Sequence, residues 1–161
     1  ENLWWPGLNF LDPELTAKFF QLIEYPRKGF MLDIGHLMLT RPQLKSEEEA
    51  CHYILEKVEK LGELQHYIKG VHLNKSLVSQ YFYQDHSQKE QKLRESSDLW
   101  ECYMEAGKHI MQLDRHVPFD HPSIQKVIDF IQPEYLVFEF LPESLEQLES
   151  MLVVQKKALG W

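Results

Sequence analysis

An α/β protein with a parallel sheet is the fold class this sequence predicts, and three observations predict it. Short apolar runs, FMLDI at 30–34, YIKGVHLN at 67–74 and EYLVFEF at 134–140, have the length and composition of strands. Stretches with apolar residues at helical spacing separate them, which is the rhythm of crossover connections. Runs such as FMLDI and YLVFEF are apolar on both faces, as a parallel strand buried on both sides should be.

The elements follow in chain order. Asp12 caps a first helix with Pro13 at its first position; Leu15, Phe19, Leu22 and Ile23 give it one apolar face, and Pro26 ends it. The run to Asp33 is the first strand. Ser46 and Glu49 form a capping box, and Ala50, Ile54, Val58 and Leu61 continue at helical spacing as a second amphipathic helix. Tyr67 to Asn74 is the next strand. Residues 75–110 form a long, charged insertion or lid, with a helix expected around Lys92 to His109. Asp120 or Ser123 starts a helix carrying Ile124, Val127, Ile128 and Ile131, closed by Pro133. Glu134 to Phe140 is the third strand, with Glu139 buried near its end, and Leu145, Leu148 and Leu152 mark the last helix.

Composition bounds the function. The 161 residues fit one domain, with 43% hydrophobic and 26% charged residues. A net charge of -8 disfavours a surface that neutralises nucleic-acid phosphates. Cys51 and Cys102 form no CxxC pattern, which points to a reducing, cytoplasmic setting. No apolar run approaches the roughly 18 residues of a membrane span. The chain opens at Glu1, without methionine and in mid-phrase, and reads as part of a longer protein.

Metal-liking residues gather where strands end. In order they are Glu1, Asp33 with His36, His72, Asp114 with His116 in LDRHVPF, and Glu139. Ligands meet parallel sheets at the C-terminal strand ends. Asp114 and His116 are two residues apart, so an extended backbone points both side chains the same way. An ionised Glu139 among Val137, Phe138 and Phe140 costs several kcal/mol unless it is paired or metal-bound. Mixed imidazole and carboxylate donors suit zinc or manganese, with iron possible, better than magnesium or calcium. His52, His66, His86, His109 and His121 fall on helices or loops and read as surface or supporting residues.

These motifs, EN at Glu1, LDIGH at Asp33, VHLN at His72, DRH at Asp114 and YLVFEF around Glu139, resemble the xylose isomerase-like TIM barrels. That superfamily holds sugar phosphate isomerases and epimerases together with endonuclease IV-like repair enzymes. The resemblance implies the C-terminal half of a (β/α)8 TIM barrel, with Glu1 ending the fifth strand, Asp33 the sixth, His72 the seventh and Glu139 the eighth. A closed barrel takes roughly 250 residues, so the N-terminal half or a second chain is needed to close the fold.

In the isomerase branch, the resemblance implies Glu1, Asp33, His72 and Glu139 around one divalent metal. Glu1 and Glu139 then move protons while the metal polarises a carbonyl and an enediolate forms, His36 contacts a sugar or sugar phosphate, and Lys75 and Arg115 hold a substrate phosphate or carboxylate. In the endonuclease branch, Asp114 and His116 join His36 in a multi-zinc cluster that attacks a phosphodiester. Two departures favour the isomerase branch: HLNKS stands where HLND is expected, and VPFDHPS replaces a glycine-rich stretch. A non-catalytic, structural remnant of the barrel is the third expectation.

Overall fold

The computed structural model describes residues 1–5, 7 and 9–161. Three parallel strands, β1 (Phe30–Asp33), β2 (Ile68–Leu73) and β3 (Tyr135–Phe138), lie side by side in sequence order in an open sheet. Helices fill the connections: α1 (Pro13–Leu22), α2 (Ile34–Leu39), α3 (Glu47–Lys60), α4 (Ser79–Phe82), α5 (Ser87–Glu95), α6 (Leu99–Leu113), α7 (Ser123–Ile131) and α8 (Leu145–Ala158). The expected alternation of parallel strands and helices is present.

Register explains which sheet face is core. Leu32, Val71 and Leu136 stand in one row across the sheet, with Leu73 and Phe138 two residues further on the same face. Leu32, Val71 and Leu73 are buried against Ile54 and Val58 of α3, Ile124 and Val127 of α7, and Ala158 and Leu159 at the end of α8. The opposite face carries Met31, Asp33, Gly70, His72, Tyr135 and Val137. On it Tyr135 and Val137 are 65% and 42% exposed. This corrects the expectation of a third strand buried on both faces: β3 is half-buried on one side and open on the other.

Several local expectations hold. Asp12 caps α1 by accepting the Glu14 and Leu15 N–H groups. Ser46 caps α3, and Glu49 reaches back to the Lys45 N–H. Others are corrected. Leu15, Phe19 and Leu22 are exposed, while α1 docks through Phe20, whose ring meets Phe30 and Tyr67 at centroid distances of 5.0 and 4.6 Å. The single helix expected over 92–109 is two, because Asp98 caps a new helix after the break at Ser96.

The excursion also runs further than 110. Lys75 and Val117 exchange main-chain hydrogen bonds at 2.7 and 3.4 Å, pinning its two ends together. Lys75 carries its side chain to Glu47 of α3, which also accepts the Asp120 and His121 N–H groups. Gln155 of α8 accepts the Phe119 N–H at 3.0 Å, so both sides of this loop are tied to the helical layer. No helix among the described residues is long and apolar enough to cross a membrane.

Candidate metal centre

Asp33 is the hub, and its spacing to His36 has a local cause. At the end of β1 it becomes the N-cap of α2, its Oδ1 accepting the His36 N–H at 2.7 Å. The DxxH motif is therefore a helix cap that sets carboxylate and imidazole on the same side of the chain turn. Asp33 Oδ2 accepts from Asn74 Nδ2 at 3.1 Å and lies 3.6 Å from His72 Nδ1.

Strand pleat brings in the next members. His72 is the registered neighbour of Asp33, and Glu139 stands two residues beyond Val137, the neighbour of His72, so all three share the open face at its C-terminal end. His72 Nδ1 is 3.0 Å from Glu139 Oε2 and 3.7 Å from Glu1 Oε2. Glu139 is half-buried rather than buried.

Asp114 and His116 arrive differently from the sequence expectation. Asp114 is the C-cap of α6, not the end of a strand, and His116 sits in the left-handed region at φ 46°. An extended DRH is thus replaced by a strained turn, a conformation that costs a non-glycine residue on the order of 1 kcal/mol. The turn aims both side chains inward. His116 Nε2 is 3.1 Å from Asp114 Oδ1, and His36 Nε2 is 3.2 Å from Asp114 Oδ2.

Three groups of ligand atoms close enough to hold an ion result: Asp33, His72 and Glu139; Glu1, Asp33 and His36; and His36, Asp114 and His116. Seven residues from five separate segments converge. Lys75 and Arg115 join none of these groups. Lys75 is paired with Glu47, and exposed Arg115 lines a separate cleft with Gln112 and Tyr81.

The donor set fits a divalent ion. His72 Nδ1, Asp114 Oδ1 and Glu139 Oε2 are buried with no hydrogen-bond partner among the described residues. His72 Nδ1 and Glu139 Oε2 approach to 3.0 Å out of line for a hydrogen bond, and a cation between them would resolve that arrangement. Main-chain carbonyls hold two of the imidazoles by their other nitrogen: His36 Nδ1 meets Asn2 O at 2.9 Å and His116 Nδ1 meets Glu139 O at 3.1 Å. A carbonyl on Nδ1 fixes the tautomer and leaves Nε2 as the ligand atom. That atom serves the group of His36, Asp114 and His116, whereas the His36 nitrogen within 4 Å of Glu1 and Asp33 is the one the Asn2 carbonyl takes.

Two asparagines orient Asp33, and sequence reasoning passed over both. The Asn2 side chain donates to Asp33 O at 3.0 Å and accepts its N–H at 2.7 Å, serving main-chain groups that β2 does not take. Asn74, wholly buried, holds the carboxylate itself. Its position depends on Gly35, because a Cβ there would lie 1.8 Å from Asn74 Oδ1. The only sequence signal was the adjacency of Asn2 and Asn74 to candidate ligands. Gly35→Ala is accordingly expected to lower metal affinity about 10- to 100-fold by displacing Asn74, although alanine is the better helix former. Competition with a chelating dye measures the change.

Without an ion the cluster holds protons instead. Burial pushes the Asp33 carboxyl up to about 6 against the pull of the His36 N–H. For His36 the burial effect is downward, but the hydrogen bond to Asp114 and the Asp33 charge outweigh it and raise the imidazole to about 9. The Asp114 carboxylate, 3.1 Å from its Nε2, raises His116 too. Burial works upward on Asp114, yet His116 and His36 hold it well below the usual carboxylate range.

The signs give a pH test. In ion-free protein the His36 contribution to stability is complete below 6.5 and lost as pH rises through about 9. That of Asp33 is complete below 3.8 and lost through about 6. Metal binding must displace such protons, so affinity should rise with pH, about tenfold per unit for each proton displaced. Denaturation midpoints of ion-free and ion-loaded protein between about pH 6 and 9 should then diverge, the first falling relative to the second. Comparison with protein-family models, curated proteins and solved structures returns no match to this chain.

Proposed function

We propose that the chain carries the metal centre of a sugar or sugar phosphate isomerase or epimerase, built as the C-terminal half of a TIM barrel. One observation carries the reading: Glu1 and Glu139, from opposite ends of the sequence, both face His72 Nδ1, and their side chains remain 38% and 36% exposed. They are the most exposed members of the cluster and can exchange protons with a bound molecule. Mixed nitrogen and oxygen donors favour zinc or manganese, with iron also accommodated. Asp33, His72 and Glu139 would hold the ion, which when bound would supply Lewis-acid polarisation of a carbonyl and so acidify the adjacent C–H bond.

The residues then divide the work. One glutamate takes the proton from carbon and the other returns it to the neighbouring carbon or the opposite face. Asp33 stays fixed by Asn2 and Asn74, and the open face of the sheet receives the substrate. Lys75 is paired with Glu47 and Arg115 lines a separate cleft, so neither is assigned to a substrate phosphate. Ion-loaded protein incubated in D2O with aldoses, ketoses and their phosphates should place deuterium on the carbon next to the carbonyl. Glu1→Gln should slow this about 100-fold or more.

A second reading, a multi-metal phosphodiesterase, is favoured by the group of His36, Asp114 and His116 beside the first. Cleavage of abasic-site DNA, with no deuterium transfer to any sugar, would establish it in place of the isomerase. Neither activity in fully ion-loaded protein would leave the structural remnant.

A further inference from the structure

The helix that delivers Asp114 to the cluster has an apolar side with nothing against it. All fifteen residues of α6 escape full burial. Leu99, Trp100 and Tyr103 are 85%, 69% and 69% exposed, and Met104, Ile110 and Met111 are exposed along the same side. The attached side of the helix is the other one, where His109 meets Tyr81 and Cys102 meets the Leu93 carbonyl. Six such side chains present a patch on the order of the 800 Å² that each partner contributes to a stable interface, more than a monomer ordinarily leaves open.

Gly107 lies on the midline of this stripe. Inside an exposed helix a glycine costs about 1 kcal/mol relative to alanine. Nothing described in the chain repays that cost, because no atom outside the helix lies within 4 Å of the place its Cβ would occupy. A glycine there removes the bulk that keeps a second helix at the usual 8–10 Å between axes. The middle of the stripe reads the same in both directions from this point: Met104 and Ile110 stand three residues either side of Gly107, and Tyr103 and Met111 four, with Leu99 and Trp100 extending it on the N-terminal side. A surface that is symmetric about its closest point of approach is self-complementary under a two-fold axis.

Charge permits the contact. Glu101 is paired with Lys92 at 2.9 Å and Glu105 with Lys108 at 2.6 Å, so the acidic residues beside the stripe are neutralised within each copy. Lys108, the lysine of α6 beside the stripe, is paired with Glu105, and the chain carries a net charge of -8, which sets the stripe apart from a helix made for anionic lipid.

We propose that α6 is a self-association surface, on which a second copy of this chain packs its own α6 antiparallel, crossing at Gly107. That register sets Met104 against Ile110 of the second copy and Tyr103 against its Met111. The contact shields the helix whose C-cap is Asp114, and it does not depend on the identity of the reaction.

Sedimentation velocity of the full chain should find a species of twice 19.2 kDa. Gly107→Leu adds bulk at the crossing while improving helix propensity, and Met104→Glu places a charge beside it. Each should weaken dimerisation at least about tenfold with the helical circular dichroism retained. In a mixture of Tyr103→Cys and Met111→Cys chains, both also Cys102→Ser, mild oxidation should join unlike chains in preference to like ones. A wild-type chain that stays monomeric at its highest soluble concentration would overturn the proposal. So would a dimer that persists unchanged in either variant, or preferential coupling of like chains. A monomer that sediments with vesicles of equal parts phosphatidylcholine and phosphatidylserine would assign the stripe to a lipid surface instead.

Discussion

Asp33→Asn is expected to lower metal affinity more than 100-fold while leaving the fold intact. Asparagine caps a helix as well as aspartate, so the bond from Oδ1 to the His36 N–H survives. Its amide can still meet Asn74 if that side chain turns over to present its oxygen. The lost property is the negative charge shared by two of the three ligand groups. In ion-free protein at neutral pH, the substitution should be neutral or stabilising, because burial already holds this carboxyl up to about 6. Titration calorimetry with zinc, paired with thermal denaturation of ion-free protein, separates the two effects. A parallel loss of stability and affinity would mean that Asp33 is a structural residue.

The second large effect lies outside the cluster. Glu47 is buried at the start of α3, paired with Lys75 and accepting main-chain N–H groups from Asp120 at 3.0 Å and His121 at 2.9 Å. Glu47→Ala would leave the Lys75 ammonium, whose side chain is only 13% exposed, with the longer 3.7 Å contact to exposed Asp120 and would strand both N–H groups. Removing one partner of a buried ion pair costs about 3–5 kcal/mol, so urea denaturation should show a loss in that range. Glu47→Gln keeps an acceptor for the N–H groups and should cost less. This network fixes the end of β2 and the loop after His116, and the larger variant should weaken metal binding as well.

How much of this was legible in the sequence depended on the kind of force involved. β1, β2 and β3 were readable because short apolar runs between turn signals leave few alternatives. The convergence of Asp33, His72 and Glu139 was readable because strand pleat fixes the face and the parallel order fixes the end. α2 escaped because IGHLML is buried on every side and carries no period to detect. The turn at His116 escaped because a left-handed histidine leaves no mark in composition, so DRH looked extended. For α1, periodicity found the stripe of Leu15, Phe19 and Leu22, but docking is decided by Phe20 on Phe30 and Tyr67, residues far along the chain. Asn2, Asn74 and the partner of Lys75 were hidden for the same reason: each acts through a contact with a distant segment.

The most direct test is a zinc titration of chelator-treated protein followed by X-ray absorption at the zinc edge. The account predicts at least one tightly bound ion per chain, with a mixed nitrogen and oxygen shell at about 2.0–2.2 Å and imidazole scattering that diminishes in His72→Ala. Zinc that stays free in solution, or a bound ion whose spectrum is unchanged when Asp33, His72 and Glu139 are each replaced, would contradict it.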